Sequence, residues 1–331
     1  MKNIKIVFLM LIIFILLACS NENAADSSNS PTELKLNLAV AESDPTYPLW
    51  EEFAEDIEEA SEGTLKVEIY SSESLGDTSN MIEKISQGTP VLQDSDPSHL
   101  SDYVDDFTIF MHPYLFKEPE DIQKAWESNT GKELSEELEE KGLRVVSASY
   151  FGTRHLMSDK EIVTRDDVKG MKIRNAPTTM WNETSKTLGG SPTETDLSEA
   201  YSALSQGVAD AIESPLSLLY SNKYYEVKDH VSLTEHLVAP TTIVMSQDVY
   251  ESLPSEGQEA LDKVGHEMPD QRIGDIEQIE EEYKEKLEEE GVKFNKVEKE
   301  EFIEASKNVS DAFPEWSPNL YEDMEEELGY K

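Results

Sequence analysis

The chain is sparing with arginine, and its arginines are unevenly placed. Three of the five fall in the segment 150–177, YFGTRHLMSDKEIVTRDDVKGMKIRNAP; the full set is Arg144, Arg154, Arg165, Arg174 and Arg272. A guanidinium presents a planar fork of donors that matches a carboxylate in bidentate fashion. Arg174 ends the short alternating run 171–174, which follows Gly170. We therefore expect Arg174 to bind an anion, the alternative being a surface arginine with an acidic neighbour.

Four other residues outside this segment are candidates for a ligand site. Asp94 and Ser95 lie in the segment 91–99, a short strand that runs into a polar turn, and strand ends are where open α/β sheets bind ligands. The alternative is a simple turn stabilised by the aspartate. Trp181 and Tyr47 are aromatic side chains that either line a pocket or pack in the core.

No catalytic signature is present in the sequence. It lacks the G-x-S-x-G, G-x-x-x-x-G-K-[ST], G-x-G-x-x-G and H-E-x-x-H patterns. The six histidines are too scattered for metal-ligand spacing. With 70 Asp and Glu residues, paired carboxylates arise by chance and do not indicate acid–base chemistry. We expect neither an enzyme nor a metal or other cofactor.

Length and charge limit the class of protein. A chain of 331 residues can form two domains with a sizeable core. The formal net charge of −42 excludes nucleic acid as a main partner, because phosphate backbones are bound by Lys and Arg. It also excludes adsorption to an anionic membrane through a polybasic face.

The N-terminus predicts secretion and lipid attachment. Lys2 and Lys5 precede an apolar run, 6–17, which is followed by Cys19, the only cysteine. About 12 apolar residues are too few to span a bilayer, which takes about 20, so residues 1–18 are predicted to be a signal peptide. The sequence around Cys19 resembles a bacterial lipobox, and we expect this residue to carry a lipid anchor.

After the predicted anchor, the sequence predicts a flexible tether followed by an α/β fold. Residues 19–33 are small and polar, as in a flexible linker. Alternating strands at 34–40 and 65–69 flank a helical pattern at 49–60. This order predicts a mostly parallel sheet with helices on its faces. Since no interior linker divides the chain, we expect two α/β lobes with a cleft between them.

The C-terminal part is predicted to be largely helical. One helix is expected at 255–266 and a second, long one at about 271–290. The charged runs along the second helix are expected to face solvent.

Several segments resemble, in order and spacing, the solute-binding proteins of TRAP (tripartite ATP-independent periplasmic) transporters, the DctP family. The similarity covers the chain from about Leu34 onward. The segments that carry it are 71–89, 102–116, 152–162, 167–177, 188–215 and 223–236.

The resemblance implies roles for individual residues. Arg174 matches the arginine of the G-[ML]-K-[IL]-R motif, which binds the ligand carboxylate in that family. Arg154 matches the arginine of the G-x-R motif, a second or indirect contact. Ser214, in the segment 210–215, replaces an asparagine common in the family, and it is shorter and lacks the amide. We also expect Asn175 to contribute to the site, whereas Arg165 is expected at the surface.

The family fold implies two discontinuous lobes that close on the ligand. We expect lobe I to comprise 34–151 plus about 240–270, and lobe II to comprise 152–239 plus about 292–331. A helix at 271–291 is expected to span both lobes.

The function implied is that of an extracytoplasmic receptor, attached to the bacterial cell membrane by its lipid alone. It would capture a small organic acid and deliver it to the membrane permease subunits of the transporter. Two alternatives remain open from the sequence: a sensor for a carboxylate, and an extracellular enzyme acting on an organic acid.

Overall fold

The structure is a computed structural model that describes residues 30–331. The predicted signal peptide 1–18, the predicted lipid attachment at Cys19 and most of the predicted tether lie outside the described residues. Within residues 30–331, no helix combines the length and apolar character needed to cross a membrane.

Strands and helices alternate along most of the chain. The strands are β1 (Thr32–Asn37), β2 (Leu65–Tyr70), β3 (Val91–Ser95), β4 (Leu143–Ser158), β5 (Lys172–Asn175), β6 (Ser191–Glu194), β7 (Ala211–Ser214), β8 (His230–Ser246) and β9 (Lys293–Lys296). The helices are α1 (Tyr47–Ala60), α2 (Thr78–Ser86), α3 (Glu120–Glu127), α4 (Asn129–Glu140), α5 (Thr179–Thr187), α6 (Ala200–Ser205), α7 (Leu216–Ser221), α8 (Gln247–Ser252), α9 (Ser255–Glu289), α10 (Lys299–Ser306) and α11 (Leu320–Glu327).

All nine strands belong to one sheet in which two long strands connect the lobes. The strand order is β2-β1-β3-β8-β4-β7-β5-β6, and β9 pairs with β8. Strands β4 and β8 pair antiparallel from Leu143 opposite Ser246 to Ser158 opposite His230. The β1–β3 group joins one end of this ribbon and the β5–β7 group joins the other. The predicted α/β class and two-lobed architecture are confirmed.

The central ribbon is irregular where it passes between the lobes. Its register shifts between Tyr150 and Gly152, which lie opposite Pro240 and Ala239. Such bulges bend a strand and increase its twist. The predicted lobe boundaries at 151/152 and 239/240 fall at this irregularity. That these residues mark the division between the lobes stays a prediction.

The two lobes bury separate apolar clusters. In the first lobe, Leu36, Trp50 and Ile243 are among the buried side chains that hold α1 against the sheet. In the second, Met157 and Ile212 belong to another buried cluster. The two clusters draw mainly on different strands and helices, so each lobe has its own core, but Leu218 of α7 packs with the first cluster and Met111 packs with Trp181.

The predicted pair of C-terminal helices is wrong in one respect: α9 is a single helix of 35 residues, Ser255–Glu289. Pro269 lies inside it and is buried. A proline removes one helical hydrogen bond, but contacts of α9 with β4, α1 and α7 hold both halves of the helix in place. At 1.5 Å per residue, α9 is about 52 Å long.

The last helix packs beside the first-lobe helices. Leu320, Met324 and Leu328 share a buried cluster with Ile122 and Leu138, which lie on α3 and α4. The sequence predicts that residues 292–331 belong to lobe II. Because α11 packs on α3 and α4, we propose to assign α11 to lobe I instead.

The contact of α9 with β4 gives a test of the fold. An added Cβ at Gly265 would lie 2.0 Å from the backbone oxygen of Val146. Gly265→Ala should therefore lower the free energy of unfolding by about 1–3 kcal/mol, measured by chemical denaturation. Gly274 in the same helix has open space around it, so Gly274→Ala should raise stability by up to about 1 kcal/mol. Equal stability of the two variants would contradict this packing.

Candidate functional site

A cavity of about 160 Å³ lies between the two lobes. Its walls come from the end of β3 and the loop before α2 on one side, and from β4, β5, β7 and α5 on the other. Six of the eight residues predicted to bind ligand line it: Arg174, Arg154, Ser214, Trp181, Ser95 and Asp94.

Arg174 brings a buried charge to the cavity. It lies near the end of β5 and is only 4% exposed. Its Nε donates to Thr195 Oγ1 (3.2 Å) and its Nη2 to the Thr195 carbonyl (2.7 Å). Among residues 30–331 the arginine ion pairs involve Arg144 and Arg154, and none involves Arg174. Burial lowers the pKa of Arg174, yet a guanidinium stays protonated in proteins. Among residues 30–331, no carboxylate lies within ion-pair distance of Arg174, although the charges of Glu213 and Asp196 act on it from farther away.

Arg154, in contrast, is already neutralised. Its Nε and Nη2 donate to the two carboxylate oxygens of Glu213, at 2.5 and 2.9 Å, in a bidentate pair. His236 Nε2 lies 3.3 Å from the same carboxylate. Burial by itself would raise the pKa of Glu213, but Arg154 and His236 outweigh it and hold that pKa below its ordinary value. Arg154 can still orient other groups, because its guanidinium stacks on Trp181 at 4.5 Å.

Glu213 is a site residue that sequence reasoning missed. The motif at 210–215 predicts a ligand contact only for Ser214, although Glu213 directly precedes that serine. Among 70 carboxylates a single glutamate does not stand out. The available signal was its position inside the motif, next to the serine.

Contacts between the lobes close one side of the cavity. Trp181 Nε1 donates to Asp96 Oδ2 at 3.2 Å, which joins α5 of the second lobe to the end of β3 in the first. The hydroxyl of Thr178 donates to that of Ser98 (3.2 Å). Thr178 also caps α5 by accepting from the backbone N–H of Trp181 (3.3 Å). The cap and the interlobe contact thus fix the indole over the cavity.

Asp94 and Ser95 lie on the first-lobe wall. Asp94 is 5% exposed, and its Oδ1 accepts from the Thr241 hydroxyl at 2.5 Å. Burial raises the pKa of Asp94 to about 6, and the Thr241 hydroxyl and nearby Arg272 limit the rise. The turn expected after the strand is stabilised by Asp96, which accepts from the backbone N–H of Ser98 (2.9 Å). The turn does not require Asp94, which lines the cavity.

Two predicted residues do not line the cavity. The side-chain amide of Asn175 is buried and already donates to the Ala176 carbonyl (2.8 Å) and Asn182 Oδ1 (3.0 Å). Its oxygen accepts from the backbone N–H of Thr193 (3.1 Å), so Asn175 supports the β5 strand end instead of facing the cleft. Tyr47 starts α1 and packs on the first-lobe core.

The described residues do not form a metal site. Within the described part of the chain, no group of three or more His, Cys, Asp or Glu side chains is arranged to hold a metal ion. The site combines a buried arginine, an aromatic lid and a two-lobed frame, which defines a binding protein of the periplasmic receptor type.

Comparison with known proteins identifies the family. Residues 36–315 match the model of bacterial extracellular solute-binding proteins, family 7 (DctP). The chain belongs to this family, the solute-binding proteins of TRAP transporters.

Its relatives include proteins named for different acids. The sialic acid-binding periplasmic protein SiaP of Vibrio cholerae is 27% identical over 86% of this chain and 88% of its own length. The C4-dicarboxylate-binding periplasmic protein DctP of Rhodobacter capsulatus is 27% identical over 74% of each chain. A solved TRAP solute-binding protein from Actinobacillus succinogenes with bound L-galactonate is 30% identical, covers 91% of this chain and 100% of its own, and superposes with a TM-score of 0.86.

The Arg154–Glu213 pair predicts a pH-dependent loss of stability. Glu213→Gln should lower the free energy of unfolding by about 3 kcal/mol at pH 7, because it leaves a buried guanidinium without its counter-ion. The fold holds the pKa of Glu213 down, so the pair stabilises the protein above the ordinary glutamate pKa of about 4.3. That stabilisation is lost as the pH falls through the folded value, and wild type and variant should then converge.

The control for this measurement is an exposed ion pair. Asp166 pairs with Lys169 at 2.8 Å, and both side chains are mostly exposed. Asp166→Asn should change stability by no more than about 1 kcal/mol. Urea unfolding of both variants across pH is the assay, and an equally small effect of Glu213→Gln would contradict the role given to the buried pair.

Proposed function

We propose that the chain is the extracytoplasmic, lipid-anchored receptor of a TRAP transporter, and that it captures a small organic acid through Arg174. The observation that carries this proposal is the buried guanidinium that lines the interlobe cavity without a carboxylate partner among residues 30–331. Family membership supports the receptor class.

The energetic argument concerns the desolvated charge. A buried cation without a counter-ion is costly, and a carboxylate ligand supplies both the charge and the acceptor oxygens it lacks. Thr195 takes up the Nε and Nη2 donors of Arg174, which leaves Nη1 for a ligand. A charge-assisted hydrogen bond in a closed cleft is stronger than the same bond in water.

Closure of the lobes follows from the same contact. Arg174 and Trp181 belong to the second lobe and Asp96 to the first, so a ligand held by Arg174 lies under the Trp181–Asp96 hydrogen bond. A ligand that contacts both walls binds the closed form better than the open form and shifts the population toward closure.

The named ligands of the relatives agree with an acid ligand. Sialic acid, a C4-dicarboxylate and L-galactonate all contain a carboxylate. A site built around one arginine would explain why members of the family bind acids that differ in the rest of the molecule. Arg154, held by Glu213, would act as a second, indirect contact that positions Trp181.

Lipid attachment and delivery are further parts of the proposal. Cys19 and the signal sequence before it lie outside the described residues, and their support is the sequence alone. The anchor would keep the receptor near the permease subunits, to which it passes the acid. The acid would leave chemically unchanged.

Removal of the arginine tests the site. Arg174→Ala should weaken binding of an acid such as L-galactonate at least about 30-fold, because truncating one side of a buried charge pair costs about 2 kcal/mol or more. Isothermal titration against a panel of organic acids measures this. Cells that carry the variant should also lose uptake of the acid. Loss of a transcriptional response with normal uptake would favour the sensor.

Arg165 offers the matched control. It comes from the same segment, and its guanidinium donates to the backbone carbonyls of Thr187 (2.8 Å) and Lys186 (2.7 Å), away from the cavity. Arg165→Ala removes the same charge and should leave affinity unchanged. Wild-type affinity in Arg174→Ala, or turnover of the bound acid, would defeat the proposal.

The anchor has its own test. Cys19→Ser should abolish labelling of the protein with radioactive palmitate and move it from the membrane fraction to the soluble extracytoplasmic fraction, since the only predicted lipid-attachment site is removed. Ligand affinity of the released protein should be unchanged. A variant that remains labelled and membrane-bound would rule out Cys19 as the anchor.

A further inference from the structure

The two walls of the cavity differ in charge. The second-lobe wall contains Arg154 and Arg174 and also two carboxylates, Glu213 and Asp196. Among the described residues, the first-lobe wall contains no Lys or Arg but four carboxylates, Glu73, Asp77, Asp94 and Asp96, which we call the acidic wall. Opposite charges balance on the second-lobe wall but not on the acidic wall, so the cavity is polarised from one lobe to the other.

Arg174 and Asp94 belong to opposite walls. Arg174 lies on β5 and Asp94 on β3, with β8, β4 and β7 between them in the sheet. The charged groups that act on Arg174 are Glu213, Arg154 and Asp196, whereas those that act on Asp94 are Arg272 and Asp96. The acidic wall therefore does not neutralise Arg174.

One available cation suits one carboxylate. Arg154 is paired with Glu213 in bidentate fashion, so Arg174 is the guanidinium left to face an anion. A second carboxylate at the far end of a ligand would approach the acidic wall, where like charges oppose it. The polarity of the cavity thus selects against a dicarboxylate.

The acidic wall offers hydrogen-bond acceptors at several separate points. Asp94 is nine-tenths buried, and its carboxylate receives the Thr241 hydroxyl at 2.5 Å. Glu73 receives the N–H (3.1 Å) and hydroxyl (2.9 Å) of Thr78 on Oε1. An ionised carboxylate has about four acceptor sites, so both keep capacity for donors from a ligand.

The distribution of these acceptors favours alcohols. Glu73 and Asp77 precede α2, Asp94 ends β3, and Thr241 lies on β8. An ammonium group concentrates three donors at one point, whereas a chain of hydroxyl groups distributes its donors along the wall.

We propose that the ligand is a polyhydroxylated monocarboxylate, whose carboxylate contacts Arg174 and whose hydroxyl groups donate to the acidic wall. This inference rests on the proposed function for the Arg174 end.

The test is a titration of the whole mature protein with six-carbon acids. The aldonates L-galactonate, D-galactonate and D-gluconate are compared with their diacids galactarate and glucarate, which differ only in a second terminal carboxylate. Hexanoate, adipate and 6-aminohexanoate complete the panel. At least one aldonate should bind at least about tenfold more tightly than its diacid and than the three unhydroxylated acids, because a site built for hydroxyl groups rejects ligands that lack them.

A conservative variant tests the wall directly. Asp94→Asn keeps the shape and an acceptor oxygen but removes the charge, so aldonate affinity should fall and the preference for aldonate over diacid should shrink about tenfold or vanish. Asp102 is exposed and outside the cavity, and Asp102→Asn should leave that preference unchanged. The preference is a ratio of affinities, and a mere loss of folded protein does not alter it.

The outcomes separate this inference from the proposed function. Tightest binding of a diacid or of 6-aminohexanoate, binding of none of the eight acids, or an unchanged preference in Asp94→Asn would overturn the inference. If another acid then binds and requires Arg174, the proposed function survives. If aldonates bind equally well to Arg174→Ala, the proposed function fails as well.

Discussion

The site depends on keeping a guanidinium buried without an anion of its own. Arg174 is 4% exposed, and among residues 30–331 its side chain makes hydrogen bonds only to Thr195. A protein with 70 acidic residues could easily have supplied a carboxylate here, and elsewhere in the cavity it does, for Arg154. This difference is the basis for our proposal that Arg174 binds the ligand and that Arg154 positions Trp181.

The frame around Arg174 explains how this cost is tolerated. β5 pairs with β6 on one side and with β7 on the other. The side-chain amide of Asn175, next to Arg174, makes hydrogen bonds to backbone and side-chain groups of its own lobe. These contacts fix the direction of the arginine. The two-stranded ribbon and α9 connect this lobe to the other, and the closure that we propose would bring the wall opposite Arg174 closer to it.

The acidic composition takes on a specific meaning at the cleft. Across the surface the carboxylates are mostly exposed and carry no information about the ligand. On the first-lobe wall, Asp94 is buried and its pKa is raised by that burial. Because a buried carboxylate is costly unless donors reach it, we propose that Asp94 contributes to ligand selection, whereas the exposed carboxylates do not.

Much of the frame could be predicted from the sequence. The alternation at Leu34 and Leu36 and the helical spacing of α1 predicted a mostly parallel sheet, since these periodicities reflect local backbone geometry. Parallel pairing holds for β1–β3, whereas the long central strands β4 and β8 pair antiparallel. The single helix α9 was not predictable in this way. Pro269 is a local signal for a break, and it is overruled by contacts with strands and helices that are distant in sequence.

For the site, the sequence by itself determined which residue types were available: few arginines, clustered in one segment, with motifs in a family order. Only the tertiary structure decided which arginine has a counter-ion, because Glu213 lies 59 residues from Arg154 in the chain and meets it across β4 and β7. The same holds for Asp94, whose burial and separation from Arg174 depend on strands that are not consecutive. Charge pairing and desolvation are properties of distances in space, and sequence spacing does not contain them.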